Sequence, residues 1–322
     1  PPSTRSRAKK AGYMSWWEAL VLGVVQGLTE FFPVSSSGHL VMTQRLLGLV
    51  IPGIAFEVAV HVATLLSVLV VYRERVASLL RGLAGRERHA WEYVGKLAAA
   101  TVPAVAAVLL AGDWIEARFD DPSFTGAMLL VTGCILWSTR WARADGLPRP
   151  AELVPVAGAA AIALLGGVLV PFLGVLALLA AIMAASRRAS RPEWEPEPGW
   201  GGAVVMGVAQ AVAIFPGISR SGSTVVTGMW KRIDPVAAAE FSFLMSVVAI
   251  AGAAVQKAPE VVEQGIGVAP LPLAVGFVAA AVSGVLAIRF FVALLRRQNF
   301  YAFSWYCWAA GALFLFYVAR GS

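Results

Sequence analysis

The stretch "VVQGLTEFFPVSSSGHLVM", residues 24–42, places an acid, three consecutive serines and a histidine around a proline inside apolar sequence. A second stretch, "GVAQAVAIFPGISRSGSTVV" at residues 207–226, repeats this outline and adds Arg220. In both, two apolar arms flank a break of Pro, Ser and Gly, and each arm is shorter than the roughly 20 residues that cross a bilayer. Broken helices at membrane depth need protein or a wet cavity around the break. Both stretches therefore predict re-entrant helix–loop–helix hairpins.

Composition places these hairpins in a membrane protein. Hydrophobic residues make up 58% and charged residues only 14% of the chain, and the mean hydropathy is +0.73. Roughly a quarter of an average soluble chain is charged, and the apolar runs lack the alternation of a transmembrane barrel. The sequence therefore predicts an all-α polytopic membrane protein. The net charge of +7 is assigned to loops at a membrane surface and not to nucleic-acid binding.

The apolar runs divide the chain into spans and one extra block. Spans are predicted near residues 55–72, 95–112, 124–141, 236–256, 270–292 and 300–319. Residues 151–186 form a long apolar block interrupted by "GGVLVPFLG", which predicts an inserted hairpin of two shorter helices. Residues 1–13 are polar and basic, and are interpreted as a disordered tail or a vector-derived remnant. The rest, 14–322, is predicted to form a single integral membrane domain. Within it, Cys134 and Cys307 are expected to be small core residues, since they lack metal-ligand spacing.

The two hairpin stretches also align with each other as an internal repeat. "GVVQ" from Gly23 matches "GVAQ" from Gly207, and the proline–serine–glycine breaks follow at similar distances. Interrupted polar segments in two matched halves indicate inverted-topology repeats around a site at the membrane midplane. The predicted repeats cover about residues 14–141 and about 200–320. Each begins with a re-entrant hairpin that is followed by spanning helices.

The distribution of Lys and Arg among the loops tests whether the two repeats have opposite orientations in the membrane. If residues 73–96 are cytoplasmic, the predicted spans place 140–149, 187–191, 231–232 and 289–297 on the same side. These five regions hold 17 of the 26 Lys and Arg residues, as expected of cytoplasmic loops. The first hairpin then enters from outside and the second from the cytoplasm. The basic N-terminal tail falls on the opposite side, but a short tail ahead of a re-entrant segment carries little weight.

Serines and glycines at the breaks are typical of helix starts. A helix start offers unpaired amide N–H groups and the positive end of the helix dipole, so it binds anions. Arg220 adds a planar two-pronged donor for phosphate or carboxylate oxygens. The sequence therefore predicts an oxyanion pocket where the two breaks meet, with Glu30 as the counter-charge of the buried arginine.

Packing is the alternative to binding at both breaks. Ser and Gly allow transmembrane helices to approach closely, so the serines alone do not decide between the two. Arg220, Glu30 and His39 are harder to explain by packing, because ionisable groups inside a membrane are costly and usually functional. Gln26 stands four residues before Glu30 and shares its helix face.

The sequence does not decide the role of several further polar residues. His61 stands four residues after Glu57, and the favoured interpretation is a packed histidine bonded to Glu57. Gln210 and Glu240 are either pocket lining or hydrogen-bond partners between helices. An anion pocket with Ser, His and Glu beside Arg permits phosphoryl transfer, in which a hydroxyl or an activated water attacks phosphorus. The physical argument alone makes anion transport nearly as plausible.

The motifs "QGLTEFFPVSSSGHL" and "PGISRSGST" resemble the two signatures of the bacterial undecaprenyl-diphosphate phosphatase family, the BacA-type bacitracin-resistance enzymes. The likeness runs from Trp16 to about Val318 and includes "FEVAVHVATLLSVLVVY" and "AAAEFSFLMSV". It implies hydrolysis of the C55 isoprenyl diphosphate to the monophosphate carrier lipid of peptidoglycan synthesis, and bacitracin resistance. It also implies a multi-pass protein of the bacterial plasma membrane, a pocket open to the outer face, and frequently a homodimer.

By this resemblance, Glu30 is the acid of the first motif, His39 is its histidine and Ser36 is the candidate nucleophile. Arg220 and Ser219 match the phosphate-binding pair of the second motif. The residues expected to bind the substrate are Gln26, Ser35, Ser37, Ser219, Ser221 and Gly222. Many family members carry Glu where this chain has Gln26, which cannot act as a base. Glu30 is therefore expected to carry more of the chemistry.

Mg²⁺ or Ca²⁺ is implied as an activator, whereas no carboxylate cluster predicts a built-in metal site and no organic cofactor is expected. The expected partners are a prenyl diphosphate lipid and membrane lipids. The competing function is that of a transporter or flippase for an anionic lipid or a small anion, since inverted repeats with re-entrant hairpins are a transporter architecture. His39 beside the serines favours the enzyme, because anion transport has less need of a titrating group.

Overall fold

The computed structural model describes residues 14–49, 54–142, 150–188, 193–296 and 300–321. Within these ranges the only strand-like pairing is an isolated bridge between Glu195 and Ile233. The predicted all-α fold is confirmed there, whereas the interpretation of residues 1–13 falls outside the described residues.

The first half contains α1 (Trp16–Phe31), α2 (Ser36–Leu47), α3 (Ala55–Val71), α4 (Arg73–Ala84), α5 (Arg88–Glu116), α6 (Pro122–Trp137) and the short α7 (Thr139–Ala142). An extra hairpin follows, made of α8 (Pro150–Leu165) and α9 (Leu169–Arg188). The second half contains α10 (Trp200–Val212), α11 (Arg220–Trp230), α12 (Pro235–Gln264), α13 (Pro270–Arg296), a 3₁₀ turn (Phe300–Ala302) and α14 (Phe303–Gly321).

Five segments of the described chain are long and apolar enough to cross a membrane: Arg88–Glu116, Pro122–Ala142, Pro235–Gln264, Pro270–Arg296 and Phe300–Arg320. α3 and α4 qualify together as a sixth apolar unit, but they are bent by 78° at their junction. The predicted multi-pass membrane protein is confirmed. The predicted span near 55–72 corresponds to α3, which turns sharply into α4 instead of ending in a loop.

The two hairpins form where the proline–serine–glycine breaks predict them. α1 begins with a capping box, in which Ser15 accepts a bond from the Glu18 amide and the Glu18 carboxylate accepts one from the Ser15 amide. Three turn residues and the N-cap Ser35 separate α1 from α2, and a longer break that contains Pro216 separates α10 from α11. Neither hairpin has a helix of spanning length in the second arm, since α2 has 12 residues and α11 has 11.

The halves interlock as inverted repeats do. α1 packs along α13 of the second half, and α10 packs along α5, which is the equivalent helix of the first half. α6 packs against its own equivalent, α14, and α3 against α12. A glycine marks the equivalent crossing in each half. A Cβ on Gly23 would meet the backbone of Gly276, and a Cβ on Gly207 would meet the backbone of Ala100. Small residues at these crossings allow the backbones to approach within a bilayer, where apolar burial gives little drive for association.

The inserted hairpin also forms as predicted, although its break lies before the proline. α8 ends at Gly166 and Gly167, where Gly167 adopts a left-handed φ of +69°. Pro171 then lies in the first turn of α9, where a missing amide N–H costs no hydrogen bond. α9 packs against α6, α10 and α11, so this hairpin covers the second re-entrant hairpin from the side.

Candidate active site

A serine caps the second arm of each hairpin. The Ser35 hydroxyl accepts a bond from the Gly38 amide at 3.4 Å, and the Ser219 hydroxyl accepts one from the Gly222 amide at 3.0 Å. Such N-caps satisfy one of the amide groups at a helix start and leave the others to point out of the helix. Ser35 adopts a left-handed φ of +70°, which is uncommon for a residue other than glycine.

The two tips meet inside the protein. The Arg220 guanidinium forms an ion pair and a hydrogen bond through Nη2 with Oε1 of Glu30. The Ser221 hydroxyl donates to the Phe32 carbonyl of the first tip at 3.2 Å. The predicted pairing of Arg220 with Glu30 thus joins a residue at the start of α11 to the last turn of α1.

Glu30 is the centre of the polar network. Its second oxygen, Oε2, accepts the Ser36 hydroxyl at 2.6 Å and the Gln26 amide at 3.0 Å. The His61 ring nitrogen Nε2 lies 4.0 Å from the same oxygen. Only 5% of the Glu30 side chain is exposed, so these contacts replace water for a buried carboxylate.

Arg220 retains donor capacity beyond Glu30. Its Nη1 is buried and has no hydrogen-bond partner among the described residues. Guanidinium groups bind two oxygens of a phosphate with parallel N–H groups. The arginine can therefore hold a phosphate oxygen at the site while it remains near Glu30.

His39 lies in the first turn of α2 but has a partner that the local sequence does not reveal. Its Nδ1 is 2.8 Å from the Ser35 carbonyl, and its Nε2 is 2.8 Å from the Tyr306 hydroxyl of α14. A carbonyl only accepts hydrogen bonds, so Nδ1 donates and Nε2 accepts from the tyrosine. The two rings also stack, with centroids 5.6 Å apart. No direct hydrogen bond joins His39 to Glu30, Ser36 or Arg220 within the described residues.

The other predicted serines bond to one another. The Ser37 and Ser35 hydroxyls are 3.3 Å apart, and the Ser221 and Ser219 hydroxyls are 3.2 Å apart. Ser36 is thus the serine of the first break that contacts the acid, and it is partly exposed. Gly222, the last of the predicted binding residues, supplies the amide that Ser219 caps.

The structure also locates the remaining polar residues. His61 bonds to Glu57, as expected, but through the backbone carbonyl at 2.7 Å and not through the carboxylate. Its other ring nitrogen faces Glu30. The Glu57 carboxylate instead accepts the Gln44 amide at 3.1 Å.

Glu240 lies outside the network around Glu30. Its carboxylate is 2.9 Å from Arg75 Nε, and Arg75 also binds Glu197 at 2.5 Å. It is therefore an ion-pair partner between helices and not pocket lining beside Arg220. Gln210 is buried, and neither of its amide atoms has a hydrogen-bond partner in the described chain.

Thr132 of α6 fixes the position of the second tip. Its hydroxyl donates to the Gly217 carbonyl at 2.8 Å and accepts the Ser219 amide at 3.1 Å. Gly217 has a φ of +95°, which a side chain would strain. Cys307 of α14 lies 3.6 Å from the Pro33 carbonyl of the first tip. The two cysteines are free and buried, which agrees with the prediction of core residues.

The described residues include no group of three or more His, Cys, Asp or Glu side chains that could hold a metal ion. Near the two tips, the Glu30 carboxylate is bonded through both oxygens to side chains of the protein, one of them cationic. These residues therefore do not fit a resident metal site, because Mg²⁺ and Ca²⁺ prefer several oxygen ligands.

Two re-entrant hairpins that bring an arginine, an acid and capped helix starts together define an integral membrane protein with a buried polar site. A sequence profile described as bacitracin resistance protein BacA matches residues 19–168 and 156–313. The chain belongs to the BacA family. The two matched ranges overlap at residues 156–168, in the second part of α8 and the break that follows it in the extra hairpin.

Relatives match this chain over nearly its full length. A protein of Salinibacter ruber named undecaprenyl-diphosphatase is 38% identical over 93% of this chain and 98% of its own. Proteins of the same name from Rubrobacter xylanophilus and Carboxydothermus hydrogenoformans are 37% and 32% identical. These cover 92% and 96% of this chain, and 96% and 99% of their own lengths.

Proposed function

We propose that this protein is an undecaprenyl-diphosphatase, a membrane hydrolase that converts the C55 isoprenyl diphosphate to the monophosphate carrier lipid. The observation that carries the proposal is the Arg220–Glu30 pair, which places an oxyanion donor beside a carboxylate that already binds a serine hydroxyl. The relatives' name supports the same reaction. The monophosphate is then available to peptidoglycan synthesis, and its supply accounts for bacitracin resistance.

In the proposed reaction, Arg220 and the amides at the two helix starts hold the oxygens of the diphosphate. Charge that spreads over these oxygens in the transition state is stabilised by fixed donors in a water-poor site. The serines Ser35, Ser37, Ser219 and Ser221 add hydroxyls around the same space, while Gln26 orients Glu30.

We propose Ser36 as the nucleophile. Its hydroxyl donates to Glu30 at 2.6 Å, which is the contact that a general base needs with the group it deprotonates. As the Oγ–P bond forms, the proton passes to Glu30 and the anhydride bond breaks with its electron pair on the leaving phosphate. Water then cleaves the phosphoserine. Direct attack by a water that Glu30 activates is the competing route.

His39 acts in this scheme as the second group that moves protons. Its Nδ1 donates to the Ser35 carbonyl, so the lone pair is on Nε2. This lone pair now accepts a hydrogen bond from the Tyr306 hydroxyl. A substrate that displaces the tyrosine hydroxyl would face a histidine nitrogen able to exchange a proton with the reacting oxygens.

The pocket is proposed to open to the outer face of the bacterial plasma membrane, and the protein to associate as a homodimer, as the family resemblance implies for both. Mg²⁺ or Ca²⁺ is proposed as an activator that is not permanently held by the chain. Addition of a chelator, followed by each cation in turn, tests this dependence. No observation on the described residues favours transport over hydrolysis.

The decisive assay measures phosphate released from undecaprenyl diphosphate, or from farnesyl diphosphate, by purified protein in detergent. We expect one phosphate per lipid and a lipid monophosphate as the second product. Glu30→Gln protein, purified in parallel, controls for contaminating phosphatases. Movement of the diphosphate lipid across vesicle membranes without phosphate release would overturn the proposal in favour of a flippase.

A further inference from the structure

His61 has one ring nitrogen fixed and one available. Nδ1 lies 2.7 Å from the backbone carbonyl of Glu57. Because a carbonyl cannot donate, Nδ1 carries the hydrogen, and Nε2 carries a lone pair in the neutral ring. Nε2 points towards Oε2 of Glu30 at 4.0 Å, a separation that a small side-chain movement or one water closes.

The oxygen that His61 faces is the reactive one in the proposed mechanism. Oε2 of Glu30 accepts the hydroxyl of Ser36, whereas Oε1 binds Arg220. Gln26, the other neighbour of Oε2, is an amide and cannot accept a proton from the acid. His61 is therefore the titratable side chain next to this oxygen in the described part of the chain.

His61 also connects the buried acid to the surroundings. About a third of its side chain is exposed, 35%, against 5% for Glu30. Glu57, four residues earlier in α3, is exposed and lies about 6 Å closer to the start of the helix. The three polar groups thus form a series that leads from the site towards the N-terminal end of α3.

Few charged groups lie near His61. They are Glu30 on α1, Glu57 on the same helix as His61, and Arg220 of α11 on the far side of Glu30. α13 packs along α3 but carries no charged residue before Arg289. The nearest acid of α12, Glu240, pairs with Arg75 of α4 beyond the C-terminal end of α3.

We propose that His61 accepts the catalytic proton from Glu30 and passes it to water, which restores the carboxylate for the next turnover. The inference rests on the proposed hydrolase function. The Ser36 proton moves to Oε2 of Glu30 while the Oγ–P bond forms and the anhydride bond breaks. It then moves to Nε2 of His61, and the imidazolium releases it to solvent. No oxidant, reductant or further reactant is needed.

The kinetic test compares His61→Gln with His89→Gln. Gln keeps a polar side chain at position 61 but cannot titrate. We expect kcat to fall roughly 10- to 100-fold in His61→Gln with an unchanged KM, as for loss of an acid–base group. The pH–rate profile should also change, because Gln at position 61 cannot take up a proton while His39 remains in place. His89 contacts Glu197 at 3.6 Å, away from Glu30, and its variant should match the wild type. A His61→Gln enzyme with a wild-type pH–rate profile would overturn the proposal.

A spectroscopic test does not depend on activity. The chain has three histidines, so ¹⁵N-histidine labelling gives a small set of ring signals that single variants assign. We expect His61 in the Nδ1–H form when neutral, with its Nε2 signal altered by Glu30→Gln and the His89 signals unaltered. An Nε2–H form, or a His61 signal insensitive to Glu30→Gln, would count against the proton path. Absence of phosphate release by the wild type would instead count against the hydrolase function.

Discussion

At the first hairpin tip, Ser35 caps α2 through the Gly38 amide, and at the second tip Ser219 caps α11 through the Gly222 amide. The residues after these caps differ: Ser36 is replaced by Arg220 in the second tip, and His39 by Ser223. The same backbone arrangement thus presents a serine and a histidine at one tip, and an arginine at the other. In the proposed mechanism, the two helix starts together bind the oxyanion, and the two differing side chains divide the chemistry between the tips.

The largest expected effect comes from Ser36→Ala. We expect kcat to fall by about 10⁴-fold, because loss of a nucleophile removes the whole covalent route. Folding should be unaffected, since Ser35 and not Ser36 caps α2. Single-turnover assays with a search for phosphoserine measure the effect, and Ser37→Ala, which loses one hydroxyl contact, is the matched control. Robust turnover by Ser36→Ala would assign the attack to water.

The pair His39→Ala and Ser223→Ala tests the division of roles at equivalent positions. His39→Ala should lower kcat by roughly 10³-fold, as for loss of a proton-moving group. The kcat of Ser223→Ala should stay within about threefold of the wild-type value. The buried Ser223 hydroxyl has no hydrogen-bond partner among the described residues, so its removal breaks no bond. Phosphate release under saturating substrate measures both. Equal losses would show that the tips do not differ as proposed.

Arg220→Lys keeps the charge of the second tip but loses the planar pair of donors. We expect kcat/KM to fall by about 10²-fold, as for removal of one oxyanion donor. Arg45→Lys changes an exposed arginine of α2 and should have no effect. Initial rates at low substrate concentration compare the two variants. A fully active Arg220→Lys enzyme would exclude two-pronged binding of phosphate.

The smallest effect on catalysis is expected from substitutions at the equivalent helix crossings, where both halves carry a glycine. Gly23→Ala and Gly207→Ala each push a Cβ against the backbone of the facing helix, so each should reduce stability by about 1–3 kcal/mol. The specific activity of the folded fraction should be retained. Unfolding in mixed micelles measures the loss, with Gly201→Ala of α10 as the control, since a Cβ there meets nothing. A large loss at only one of the two positions would argue against equivalent crossings.

The local sequence pattern was sufficient to predict the two hairpins and one long-range contact. Pro33 and the serines predict the first break, and the cost of a buried arginine predicts its pairing with Glu30. Both conclusions use chemistry that is present within the motifs. The inversion of the halves also follows from matched motifs and loop charges, without knowledge of helix packing.

The contacts of His39, His61 and Glu240 could be identified only from the structure. Tyr306 is 267 residues from His39, and nothing in the local sequence connects them. Helical spacing shows that His61 and Glu57 share a face, but it does not say which neighbour that face meets. The sharp turn into α4 places Arg75 beside Glu240, and the sequence at the junction of α3 and α4 did not predict this bend.

One helix sets how the site responds to its bilayer. Residues 124–137 of α6 are all buried, because α8, α9, α11 and α14 surround this helix with protein. Changes in membrane thickness act on helices that touch lipid, which respond by tilting or bending. Thr132 anchors the second tip to a helix shielded from that stress. The second tip, which carries Arg220, should therefore keep its position relative to α6 in thin and thick bilayers, while helices that contact lipid adjust their tilt.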